Sequence, residues 1–105
     1  MDLFISSNLI IPSNEYNWRF SRSSGPGGQN VNKTDSKVQI VFNLRNSKTL
    51  NDLEKSKIRI HLKNKLINDC ICISVQEKRT QYQNRQIALF KLANLINSCL
   101  SITKK

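Results

Sequence analysis

The residues best placed to do chemistry sit in one run, residues 23–34, SSGPGGQNVNKT. It holds Gly25, Pro26, Gly27 and Gly28, followed by Gln29, Asn30, Asn32 and Lys33, and it contains all 3 glycines of the 105-residue chain. The Gly27-Gly28 pair removes side chains where a backbone must approach something closely, and Pro26 stiffens the entry. A phosphate cradle does not fit, because the G-x-x-x-x-G-K-[ST] spacing is absent and Lys33 falls too far from Gly28. A plain flexible hairpin loop would explain the glycines but gives no reason for a glutamine directly after two of them. The single histidine, His61, has no evident partners, no serine occupies an elbow-type motif, and paired carboxylates are scarce. An enzyme built this way works by setting backbone amides and a neutral side chain against a reacting group, and takes the rest of its site from a partner.

The flanking segments must lift this run off a sheet. Tyr16, Trp18 and Phe20 share parity, which predicts a strand over 16–22 with those rings toward the core. That stripe reads as core before it reads as a base-stacking platform. Val38, Ile40, Phe42 and Leu44 predict a second strand over 37–44, with Val41 out of phase. Its connection to the first strand exceeds any tight hairpin turn, and a long ordered loop between paired strands usually carries function. Ahead of both, Leu9 to Ile11 followed by Pro12 suggests an edge strand or an ordered lead-in.

Further along, N-cap residues within 47–50 open a helix expected to run to about residue 67. Ile58 with Leu62 and Leu66 forms one stripe, and Leu53 with Ile60 and Ile67 another nearly opposite, so the helix is expected to be gripped on two sides. Asn68-Asp69 ends it, and 70–75 is a third strand with Ile71, Ile73 and Val75 on one face. From residue 78 a second helix carries Leu89, Leu92, Ala93, Ile96, Cys99 and Leu100 at helical spacing, a stripe suited to covering the sheet. Its first turns, residues 76–85, are polar almost throughout and are expected to line a surface. The order strand, loop, strand, helix, strand, helix predicts an α+β fold: one small mixed or antiparallel sheet with two helices packed on one face, in a single domain of residues 1–105.

Charge narrows the partner. Lys and Arg number 17 against 7 Asp and Glu, a net +10, the electrostatic footprint of a protein that meets nucleic acid or an anionic membrane. Solvated lysines and a bias toward Asn, Ile and Lys are the bland alternative. Membrane is disfavoured, since no apolar run approaches the roughly 20 residues of a span. The N-terminus has no basic segment ahead of its apolar residues and no cleavage-like pattern, which points to the cytoplasm. The 3 cysteines, Cys70, Cys72 and Cys99, form neither a Cys-x-x-Cys pair nor a disulfide framework. They read as small buried hydrophobes, with no metal and no cofactor expected.

Gly27-Gly28-Gln29, set in RSSGPGGQNVNKTDSKV from Arg22 to Val38, resembles the catalytic loop of the class I peptide-chain release factor family. The similarity is strongest to its small stalled-ribosome rescue branch, the alternative rescue factor B type with its peptidyl-tRNA hydrolase relatives. A second block agrees, because Glu77, Arg79, Gln81, Asn84 and Arg85 match the family's E-x-R-x-Q-x-x-N-R pattern. The resemblance implies a loop that enters the peptidyl transferase centre of the large ribosomal subunit and hydrolyses the ester of P-site peptidyl-tRNA. The Gln29 backbone N–H would stabilise the developing oxyanion and its side chain would position water, with Gly27 and Gly28 setting the loop path. By the same match Arg22, Ser24, Gly25, Asn30, Asn32, Lys33, Arg79 and Arg85 would support the loop or touch ribosomal RNA. The partners implied are the ribosome and peptidyl-tRNA, met by a monomer.

Two departures stand out. Asn30 occupies a position where many relatives carry His. The long basic tail of the rescue branch is not found before Lys105, and no codon-reading domain is visible, so stop-codon termination is not expected. A non-catalytic ribosome- or RNA-binding module that keeps the fold is the alternative reading.

Overall fold

A computed structural model of the chain describes residues 2–6, 9–20 and 37–101. Two antiparallel sheets and two helices share one apolar core. The first sheet is a pair, β1 (Leu3–Ser6) with β2 (Leu9–Ile11), registered Leu3 to Ile11. β2 is the strand anticipated before Pro12. β1 was not anticipated, because Phe4 between Leu3 and Ile5 blurs the alternation: Leu3 and Ile5 are buried and Phe4 faces outward.

A short 3-10 helix, Ser13–Glu15, leads into β3 (Tyr16–Phe20), which pairs antiparallel with β4 (Val38–Asn43). β4 pairs in turn with β5 (Cys70–Val75), giving the order β3-β4-β5. Val38, Ile40 and Phe42 are fully buried on one face, joined by Ile71 and Val75, as period-2 patterning requires. Val41 lies on the other face yet is also buried, between Asn17 and Cys72 in register.

Helix α1 (Asp52–His61) starts later and ends sooner than its apolar pattern suggested. Its N-cap is Asn51, in a capping box: Asn51 Oδ1 accepts the Glu54 N–H at 2.8 Å, and Glu54 Oε1 accepts the Asn51 N–H at 2.9 Å. Ser47, among the expected caps, is instead buried in the preceding turn, where its Oγ accepts the Thr49 and Leu50 N–H groups and donates to Glu15 Oε1. At the other end, Ile67 and Cys70 exchange two backbone hydrogen bonds, of 3.1 and 2.9 Å, across Asn68 and Asp69. Both of those residues have positive φ, 52° and 66°, the signature of a type I′ turn. Ile67 is therefore drawn into the approach to β5 and out of the helix. Ile58 and Leu62 are buried, whereas Leu53, Ile60 and Ile67 are 66%, 71% and 62% exposed, so α1 is held on one side only.

Arg59 ties α1 to that turn through a two-pronged contact, Nε to Asp69 Oδ1 at 3.0 Å and Nη2 to Oδ2 at 2.7 Å. This guanidinium, with weaker help from Arg45 and Lys55, holds the Asp69 carboxyl below its ordinary range against the opposing effect of burial.

Helix α2 (Gln81–Ser101) is the organising element. Its stripe of Ala88, Leu89, Leu92, Ile96 and Cys99 is buried against β4, β5 and β1, and α1 docks on it. Asn97 Nδ2 donates to the Ile5 carbonyl at 2.9 Å, which fastens the first sheet to the same helix. The α+β expectation holds, with one correction: the strands form two antiparallel sheets and not one, because β1 and β2 pair only with each other, and α2 packs on β1, β4 and β5 while α1 docks on α2.

Candidate functional site

Gly27, Gly28 and Gln29, together with Arg22, Ser24, Gly25, Asn30, Asn32 and Lys33, lie outside the described residues. Their anchors are described. Phe20, where β3 ends, sits opposite Val38, where β4 begins, and Val38 sits opposite Val75, where β5 ends. Residues 21–36 thus leave and rejoin the sheet at neighbouring strand positions. The polypeptide entering the Glu77 to Arg85 block starts from the same end, directly after Val75. The two segments that the sequence singled out far apart are rooted side by side.

Within the block some side chains shape the backbone and others stand at the surface. Asn84 is fully buried and grips the backbone of Lys78: its Oδ1 accepts the Lys78 N–H at 2.8 Å and its Nδ2 donates to the Lys78 carbonyl at 3.1 Å. Thr80 Oγ1 accepts the Gln83 N–H at 3.1 Å, an N-cap that starts α2 at Gln81 and not at residue 78. Glu77 pairs with Lys91 at 2.9 Å. The expectation of an all-polar exposed surface therefore fails at Asn84, whose carboxamide is spent on shaping the strand-to-helix connection. Arg79 is exposed, with no hydrogen bond or ion pair among the described residues. Arg85 is half-buried, with its guanidinium carbon 6.0 Å from the centre of the Phe20 ring.

Beside these roots lies a cleft of about 190 Å³ between β3 and α2, lined by Tyr16, Trp18, Tyr82, Arg85, Gln86 and Leu89. Tyr16 and Leu89 form its buried floor; Tyr82 is 63% exposed at its rim. Trp18 meets Tyr16 edge-on, centroids 5.9 Å apart at 90°. Burial, then the nearby Asp2 charge, push the Tyr16 phenol up, so it stays neutral. The stripe Tyr16-Trp18-Phe20 is accordingly fully core at its first residue and partly so at Trp18, which packs half-buried against the core, whereas Phe20 is 49% exposed. Tyr82 and Gln86 escaped the sequence reading. Their signal was present, since 82, 85, 86 and 89 recur at i, i+3, i+4 and i+7 and so share one helix face.

Two of the three cysteines are held as thiols. Burial, and then Cys70, push the Cys72 thiol up, and burial pushes up Cys99, so both are poor in thiolate. Among the described residues no group of three or more His, Cys, Asp or Glu side chains stands where it could hold a metal ion. No described helix is long and apolar enough to cross a membrane.

An antiparallel three-stranded sheet under one long helix, with the connection 21–36 and the Glu77 to Arg85 block rooted at one end, matches the α+β architecture expected of the release-factor family. The family model for the RF-1 domain matches residues 5–105, and the chain belongs to this class I release factor family. It is 36% identical over 104 residues to a peptidyl-tRNA hydrolase ArfB of Pseudomonas putida, covering 98% of this chain and 75% of that protein. It is 33% identical over 101 residues to the mouse large ribosomal subunit protein mL62, covering 94% of this chain and 48% of that one. A peptide chain release factor 2 of Pseudarthrobacter chlorophenolicus is 30% identical over 100 residues, covering 95% of this chain and 19% of that protein. The chain thus spans three-quarters of the first relative, about half of the second and a fifth of the third.

Proposed function

We propose that residues 1–105 act as one catalytic domain that hydrolyses the peptidyl-tRNA ester on the ribosome, independently of any codon, to rescue stalled complexes. The observation that carries this reading is the shared root of the two segments: the Gly27-Gly28-Gln29 run and the Glu77 to Arg85 block spring from adjacent ends of β3, β4 and β5. Family membership and the likeness to a peptidyl-tRNA hydrolase support it. The net charge of +10 supports ribosomal RNA as the surface on which the domain docks. The setting is the compartment in which this chain's ribosomes work, taken as the cytoplasm, where reduced cysteines such as Cys70 persist.

When water attacks the ester carbonyl, negative charge gathers on the carbonyl oxygen. A backbone N–H held toward that oxygen lowers the barrier, and one such donor is typically worth about 10²- to 10³-fold in rate. Gln29 supplies this amide and, through its side chain, a hydrogen-bonding group for the water. Gly27 and Gly28 set the path, and the ribosome supplies the walls that exclude bulk solvent. Arg22, Ser24, Gly25, Asn30, Asn32 and Lys33 support the loop or meet RNA, and Arg79, unpaired among the described residues, supplies a cation for phosphate.

The test is peptide release from stalled ribosome complexes by the wild type and by Gln29→Ala and Gly28→Ala. Equal release by all three removes the catalytic claim. The likeness to a large ribosomal subunit protein favours a second reading, a ribosome-bound module without hydrolysis. Stable ribosome binding with no release from complexes whose messenger channel is empty would select it.

A further inference from the structure

Both tyrosines, the single tryptophan and one of the four phenylalanines of this chain gather at the edge formed by β3 and α2. A core needs no such arrangement at its rim. Tyr16 and Leu89 close the floor, but Trp18 is only half-buried, and Tyr82 and Phe20 are 63% and 49% exposed. Arg85 lines the cleft together with Tyr82 and lies over the Phe20 ring.

We propose that this cleft receives one unpaired base of RNA, stacked between Trp18 and Tyr82, with Arg85 on the phosphate or base face and Gln86 at the base edge. The inference rests on RNA being the partner of the domain, and goes beyond the ester-hydrolysing loop to a site between β3 and α2. Size argues for it: about 190 Å³ is below the roughly 300–1,000 Å³ of pockets that enclose a whole small molecule, and suits one flat group inserted from a larger partner. Shape argues likewise, because the walls are rings held by different elements, β3 and α2, and the Trp18 plane is set by its edge-on contact with Tyr16. Charge selects a nucleic acid over an apolar peptide. The residues lining the cleft include a guanidinium and no carboxylate, with the Asp2 carboxylate near the Tyr16 floor, on a chain of +10. Base stacking on aromatic rings is tolerant of sequence, whereas a glutamine amide matches the edge of adenine.

Trp18 is the only tryptophan, so its emission reports on the cleft. The full chain is titrated at about 50 mM salt, where phosphate contacts are strong, with a five-nucleotide oligoadenylate RNA and with an abasic oligomer of equal length. The expected result is saturable quenching by the oligoadenylate, little quenching by the abasic strand, and affinity about tenfold weaker in Tyr82→Ala. Tyr82→Phe, which keeps the ring, restores binding. Circular dichroism confirms that the exposed substitution leaves the fold intact. No quenching, equal quenching by the abasic strand, or undiminished affinity in Tyr82→Ala overturns the proposal. Peptide release is measured in parallel: release without base-dependent quenching overturns this site alone, and quenching without release overturns only the hydrolase reading.

Discussion

Asn84 holds Lys78 by both of its backbone polar groups, the N–H at 2.8 Å and the carbonyl at 3.1 Å, from a side chain with no exposed surface. One carboxamide thereby fixes the path of the connection between β5 and α2. Replacing it with alanine strands two groups where water enters poorly, at about 1–3 kcal/mol. Asn84→Ala should lower the melting temperature by about 4 °C or more in a thermal melt. Asn84→Asp should be worse, because an acceptor then faces the Lys78 carbonyl.

Acid should unfold the domain through two carboxylates. Burial alone would raise Glu15, but the hydroxyls of Ser47 and Thr49 and the backbone N–H groups of Lys48 and Thr49 outweigh it and bring the carboxyl below its ordinary value of 4.5. Asp69 is brought below 3.8 chiefly by Arg59. Both folded values are lowered, so both groups stabilise the fold above those ordinary values, and the stabilisation disappears as pH falls through the lowered ones. Denaturant midpoints measured from pH 6 down to about pH 2 should decline, and Asp69→Asn should flatten the lower part of the curve. Asparagine tolerates the positive φ of 66° at that position, so the substitution removes charge without disturbing the turn.

The one-sided packing of α1 separates two isoleucines of one helix. Ile58→Ala should cost about 2–5 kcal/mol, since it empties a fully buried site. Ile60→Ala, at a position 71% exposed, should stay within about 0.5 kcal/mol of the wild type. Urea unfolding of both variants checks the pair, and a large loss at Ile60 would contradict the observed packing.

In the release assay Gly28→Ala should lose more activity than Gln29→Ala. A Cβ at residue 28 restricts the backbone that places the Gln29 amide, whereas alanine at residue 29 keeps that amide and removes only the side chain. A larger loss for Gln29→Ala would assign the main role to the glutamine side chain.

Much of this fold was legible because one face of each element is buried. The alternation of Val38, Ile40 and Phe42, the bounds of β5 and the α2 stripe from Leu89 to Cys99 followed from periodicity alone. Periodicity failed where tertiary pairing competed with it. Ile67 continues a helical stripe on paper, yet it pairs with Cys70 because Asn68 and Asp69 accept left-handed φ. The family pattern marked Asn84, but its structural task was hidden in a polar run, since its partner is a backbone and a backbone leaves no mark in composition. The Gly27-Gly28-Gln29 and Glu77 to Arg85 patterns pointed to the family, but nothing in them revealed that Tyr82 and Gln86 line one cleft with Trp18. Such proximity across elements exists only once β3 and α2 are packed.

The pairing of Phe20 with Val38 also bears on how this domain tolerates change. Because Phe20 and Val38 are paired at the two ends of residues 21–36, the loop-closure part of the cost of lengthening the connection is small, about 0.6 kcal/mol for each doubling. The register of β3 with β4 is set by residues 16–20 and 38–42, outside that connection. The body is thus a holder with an exchangeable tip, and transplanting residues 21–36 between members of the family should yield folded hybrids that differ in what the tip can reach.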